Sequence, residues 1–175
     1  MPVRWKETVY GKDRDAIQQR LEELVTLWLS SADNVFDTQT NWLTCTLVDL
    51  STGEQLMPQF RVGDMSLKEV LTTGYFSYRQ SLALMEHPGD WTTEPSSSPN
   101  PENLPLSQRY PRGGIRVKSL NYGILIAGLP WPGNQAVACA LGRWFGVLTT
   151  EDISRIATES GNDACIGFAE HVNRQ

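Results

Sequence analysis

Between Tyr110 and Phe145 the chain compresses a double glycine, Gly113-Gly114, two β-rich runs and the start of an apolar helix into 36 residues. That crowding leaves few folds open. Ile115 to Leu120 and Tyr122 to Leu129 read as a hairpin, the second strand almost wholly apolar and therefore central. Asn134 is placed to head a helix to Phe145, with Val137, Ala138, Leu141, Trp144 and Phe145 inward and Gly146 as its stop.

Upstream, Ile17, Leu21, Leu24, Val25 and Trp28 recur at helical spacing, so a helix is expected over about 14–31, capped by Asp13 or Asp15. Trp42 to Leu50 reads as a strand with Leu43, Cys45 and Leu47 on one face. The turn Ser51-Thr52-Gly53-Glu54 leads into a returning strand over 55–62. Ser66 and Glu69 have capping-box spacing and open a helix to about Met85. Leu67, Val70, Leu71, Tyr75, Tyr78, Leu82 and Met85 share one face of it. Gly74 lies in its middle, where glycine costs about 1 kcal/mol relative to alanine, and such a residue marks close packing or a ligand. Residues 87–112 carry six prolines, which rule out a regular element and make a long loop. Thr149 and Asp152 begin a further helix, and Cys165, Phe168 and Val172 suggest a last turn or two. Hairpins separated by helices imply an antiparallel sheet with helices packed on its faces, the α+β class.

At 175 residues, 40% of them hydrophobic and 20% charged, the chain is the size of one domain and buries about 70% of its unfolded surface. A net charge of −5 without any run of Lys or Arg argues against nucleic acid and anionic membrane surfaces as partners. No stretch has the length of a membrane span or a signal-peptide core. Cys45, Cys139 and Cys165 are odd in number and widely spaced, which fits reduced intracellular thiols better than a disulfide framework, and a cytoplasmic location follows as an expectation.

Several short motifs carry a family resemblance: Leu47-Val48-Asp49 with Gly53 in the first hairpin, Arg61 and Asp64 at its exit, Gly113-Gly114-Ile115 opening the second, and Gly128 ending its second strand. In these the chain resembles the GlcG/HbpS-like family of haem-degrading or haem-binding proteins. The resemblance covers about 14–147, with 149–173 as a C-terminal helical addition. It implies a profilin-like domain, a homo-oligomer, and haem or another tetrapyrrole as a cofactor or substrate. Departures weaken the haem role. Ala127-Gly128 stands where the family commonly has Ser-Gly, Asn134-Gln135 stands where an acidic residue often follows, and the first helix has no His.

The chemistry-bearing residues are sparse. His87 and His171 are the two histidines, too few and too far apart for a transition-metal cluster. Arg109 and Arg112 offer charges for haem propionates. Cys45, between Leu43 and Leu47, reads as core packing rather than a nucleophile. Gly113-Gly114 alone reads as a tight turn. Asp49 and Asp64 read as turn and cap residues, and Arg61 either pairs with Asp64 or points to a pocket. The constellation that stands out is Tyr75, Tyr78 and Arg79 beside Gly74. With Trp91 or Tyr110 from the long loop and Trp131 after Pro130, it suggests an aromatic pocket under a lid.

The functional expectation is therefore a small-molecule pocket protein, acting without a cofactor on an apolar metabolite in an isomerisation or cyclisation. Tyr75, Tyr78, Arg79 and Arg112 would supply hydrogen bonds and charge, while Gly74, Trp91, Tyr110, Trp131 and Arg61 would bind the substrate. Such catalysis rests on positioning and aimed dipoles. Haem or tetrapyrrole binding or degradation is the alternative, and an oligomeric interaction module the third.

Overall fold

The computed structural model describes residues 5–31, 41–93 and 113–173. A two-stranded ribbon, β1 (Thr8–Val9) and β2 (Lys12–Asp13), leads into α1 (Arg14–Leu29). Asp13 caps α1 by accepting from the Ala16 N–H at 2.8 Å. The helical stripe from Ile17 to Trp28 is buried as its spacing predicts.

Four antiparallel strands form the main sheet: β3 (Leu43–Asp49), β4 (Phe60–Val62), β5 (Ile115–Val117) and β6 (Tyr122–Ala127), in the spatial order β4-β3-β6-β5. The two hairpins therefore meet along their first and last strands, with Thr44 opposite Ala127 and Asp49 opposite Tyr122. β4 is shorter than the expected 55–62 strand. Gln55 bridges Val48, but the chain then leaves the ladder until Phe60. Pro58 has no N–H to give a partner strand.

Side-chain alternation divides the sheet into two unlike faces. Leu43, Cys45, Leu47, Phe60, Val62, Ile124 and Ile126 join α1 and the C-terminal helices in the main core. These helices are α3 (Trp131–Trp144), α4 (Thr150–Ser160) and α5 (Ala164–Asn173). Trp28 meets Phe168 edge to face, ring centroids 5.3 Å apart. The opposite face carries Thr44, Thr46, Val48, Leu125 and Ala127 and is covered by α2 (Leu67–Glu86). The α+β architecture, with helices on both faces and a C-terminal helical addition, is as the hairpin and helix pattern predicts.

α2 begins at the predicted capping box: the Ser66 N–H donates to the Glu69 carboxylate at 2.7 Å, and the Glu69 N–H to Ser66 Oγ at 3.2 Å. Its orientation is the less expected part. The residues turned onto the sheet are Thr73, Ser77, Gln80, Ser81 and Leu84, while Leu67, Leu71, Tyr75, Tyr78 and Met85 are exposed. The sheet face beneath mixes threonines and Ala127 with Val48 and Leu125: Leu84 packs on the apolar pair, hydroxyls and an amide complement the rest, and Gln80 Nε2 donates to the Ile126 carbonyl at 2.9 Å.

α3 starts at Trp131 with Pro130 as its N-cap, four residues before the cap expected at Asn134, because Pro130 and Pro132 suit a helix start and Asn134 is used elsewhere. Among the described residues, no helix is long and apolar enough to cross a membrane.

Candidate functional site

Because α2 sits on a sheet face of threonines with small side chains of its own, the two do not close completely. A cavity of about 180 Å³ remains between them. Its walls are Thr46, Val48 and Leu125 from the sheet, Gly53, Gln55 and Gln59 from the hairpin, and Gly74, Ser77, Tyr78 and Ser81 from α2. Hydrogen-bonding groups outnumber apolar ones. Gln59 Nε2 donates to Thr46 Oγ1 at 3.1 Å, which holds that wall in place. Ser77, 4% exposed, has a buried Oγ with no hydrogen-bond partner among the described residues. A buried hydroxyl left unmatched costs about 1–3 kcal/mol, and at the cavity wall this one is placed to bond a molecule held there.

Gly74 lines the same cavity. A Cβ built there meets nothing within 4 Å, and its backbone does not occupy the left-handed region. Neither close packing nor backbone geometry requires glycine at this point. By contrast, Gly113 has φ +111° and a Cβ there would lie 2.5 Å from that of Asn134, and Gly128 has φ +133° with the Trp42 carbonyl oxygen 2.6 Å away. Those two are architectural.

Of the residues anticipated for a site, Gly74 and Tyr78 line this cavity. Tyr75 and Arg79 lie farther round α2 on its solvent side, where Arg79 Nη1 donates to the Tyr75 hydroxyl at 3.1 Å. Trp91 is elsewhere: its N–H donates to Glu159 Oε2 at 3.0 Å, and Lys118 Nζ lies 4.3 Å from its ring centroid. It borders a shallow depression along α4, away from the α2 cavity. Trp131 opens α3, half-buried. Arg61 is exposed on β4 and makes no ion pair with Asp64 among the described residues. Tyr110 and Arg112 lie outside the described residues, as does most of the 87–112 loop. The aromatic grouping therefore separates, because helical phase turns Tyr75 away from Ser77 and the Trp91 segment is drawn to α4.

Thr46, Gln55, Gln59, Ser77 and Ser81 were not anticipated. Gly74, Ser77, Tyr78 and Ser81 do recur at one-turn spacing, and Thr44 and Thr46 interrupt an apolar strand with period two. On α2 those signals, Tyr78 apart, lie off the apolar stripe from Leu67 to Met85, the face where the aromatic pocket was expected.

Other polar groups are committed to the fold. Glu159 accepts from the N–H groups of Trp91 and Thr92 and from Thr92 Oγ1, the last two at 2.7 and 2.8 Å. Arg116 is buried and pinned by the Asp90 carbonyl at 2.9 Å, with further bonds to the Leu84 carbonyl and Asn121 Oδ1. Burial lowers its pKa, partly offset by the nearby Asp90 and Glu159. Gln135 Oε1 accepts from Ser160 Oγ at 2.7 Å and Asn162 Nδ2 at 3.1 Å, so it ties α3 to α4 rather than facing a ligand. Burial pushes the Cys45 thiol up to about 12, leaving it a packing residue. Cys139 is raised by its hydrogen-bonded neighbour Cys165 and by burial.

Among the described residues, no three His, Cys, Asp or Glu side chains are grouped to hold a metal ion. No protein-family model, no curated protein and no solved structure matches this chain.

Proposed function

We propose that the chain is a small-molecule pocket protein whose site is the cavity between α2 and the sheet, acting without a cofactor as an isomerase-like or cyclase-like enzyme. The observation that carries this reading is Gly74, a helix-interior glycine that packing does not need, opening a cavity beside the unpartnered hydroxyl of Ser77. The lining shifts the ligand from the fully apolar molecule expected earlier to a compact, uncharged one. Its apolar edge would face Val48 and Leu125, and its hydroxyl or carbonyl groups would face Ser77 and the Thr46–Gln59 pair. Among the described residues of the lining Tyr78 is the titratable one, and the candidate for moving a proton on the bound molecule. Tyr75 and Arg79 would act from the rim.

The GlcG/HbpS-like resemblance is part of this proposal, supported by the order helix, hairpin, helix, hairpin, helix. So is a cytoplasmic location, supported by free, buried Cys45, Cys139 and Cys165.

Ligand-observed NMR with mixtures of small uncharged metabolites tests the reading. Hits are expected for the native protein and should vanish in Gly74→Leu, whose side chain enters the cavity; mass spectrometry of incubated hits then reports conversion. A native protein that binds nothing at millimolar concentration overturns it. Haemin is the companion probe. A cavity of about 180 Å³ falls below the roughly 300–1,000 Å³ of usual ligand sites, so this site should give no stoichiometric Soret shift.

A further inference from the structure

The outer face of α2 carries the largest display of exposed apolar side chains on a single helix of the described structure. Leu71 is 64% exposed, Tyr75 48% and Tyr78 60%, and Met85 and the half-buried Leu82 continue the row. Leu71, Tyr75, Tyr78, Leu82 and Met85 are spaced 4, 3, 4 and 3 residues apart, the interval that keeps a seam facing another helix. A soluble surface helix ordinarily turns such a stripe inward. Here the inward positions are Thr73, Ser77, Gln80 and Ser81, so the seam is reserved for something outside α2's own sheet.

We infer that a second copy of this chain occupies it, through antiparallel pairing of two α2 helices about a two-fold axis. The charges on the rim select this arrangement. Lys68 and Glu86 are five turns apart at about 3.6 residues per turn, so they stand on one flank at opposite ends of the seam. Both are exposed, and neither has an ion-pair partner among the described residues. A two-fold axis crossing the helix keeps each flank on its own side and reverses its direction. Lys68 of one copy then meets Glu86 of the other, twice over. The same operation brings Leu71 level with Leu82, Tyr75 level with Tyr78, and Arg79 level with the opposing Tyr75 ring, a cation–π partner. Parallel pairing would instead set like charges at like heights. The inference does not depend on the ligand reading: Tyr78 borders both the seam and the cavity, but Lys68, Leu71 and Glu86, the residues that define and test the pairing, do not line the cavity.

One helix pair is at the small end of specific interfaces, near about 1,200 Å² in total, so a micromolar dimer is expected. Sedimentation equilibrium of the full chain should show monomer–dimer exchange. Leu71→Glu should raise the dissociation constant about thirtyfold or more, with unchanged far-UV circular dichroism because the site is solvent-facing. Lys68→Glu and Glu86→Lys should each weaken the dimer about threefold to tenfold, and combining them in one chain should restore it. A native chain that stays monomeric throughout the micromolar range overturns the inference, whatever other partner then covers the face. A dimer indifferent to Leu71→Glu, or a charge-swapped double variant as weak as the single ones, overturns it equally.

Discussion

Asn134 holds both backbone groups of Leu129: its Oδ1 accepts from the Leu129 N–H at 3.0 Å and its Nδ2 donates to the Leu129 carbonyl at 2.8 Å. The bond pair fastens the end of β6 to the first turn of α3 and is buried. An amide satisfies both groups, whereas a carboxylate only accepts. Asn134→Ala should cost about 1–3 kcal/mol, and Asn134→Asp at least as much near neutral pH. In the Asp variant the Leu129 carbonyl and burial would raise the folded carboxyl above its unfolded value of about 3.9. A raised group favours the fold below its unfolded pKa and loses that contribution as pH rises through the folded one. The deficit of Asn134→Asp should therefore shrink as pH falls from neutral through that raised value and be smallest by about pH 4, as urea titrations at the two pH values would show.

Gly74→Ala should stabilise the protein by about 1 kcal/mol, since the added methyl meets no neighbour. Ser77→Ala should stabilise by about 1–3 kcal/mol, because the buried Oγ it removes has no partner among the described residues. Stability gained by substituting residues that line a site is the mark of a stability–function trade-off. Chemical denaturation reads both effects, and a loss of more than about 1 kcal/mol in Ser77→Ala would mean that Ser77 serves the fold instead.

Glu159 secures the 91–93 segment to α4 with one carboxylate. Removing it in Glu159→Ala leaves two N–H groups and a hydroxyl without their acceptor, at about 2–3 kcal/mol. Hydrogen exchange should quicken at Trp91 and Thr92 more than in the main sheet.

None of the three cysteines should react with a thiol reagent in the native state, and all three should react in denaturant, because each is free and buried. The raised Cys45 pKa also sets a sign. Its contribution is complete below the unfolded thiol value of about 9 and is lost as pH rises toward about 12. Thermal unfolding should accordingly show a falling midpoint above about pH 9.

How much was legible in the sequence varies by element. The buried stripe of α1, the Ser66–Glu69 and Thr149–Asp152 capping boxes and the two hairpins could be read directly, because a helical period, a three-residue cap spacing and a turn are local facts. The site was legible only at Gly74 and Tyr78. Helical phase groups α2's residues into faces, but the choice of which face meets the sheet depends on Thr44, Thr46, Leu125 and Ala127 on strands far away in sequence. Those strands alternate hydroxyls and small side chains with Leu125, so the face of α2 carrying Thr73, Ser77, Gln80, Ser81 and Leu84 went in and its Leu71–Tyr75–Tyr78 face stayed out. The sequence by itself determined the order of the main helices and hairpins, though not the β1–β2 ribbon or the ends of β4 and α3. Only the tertiary structure decided that α2 lies inverted, because that choice is made by the chemistry of the opposing surface, and with it came both the cavity at Ser77 and the open seam along Leu71, Tyr75 and Tyr78.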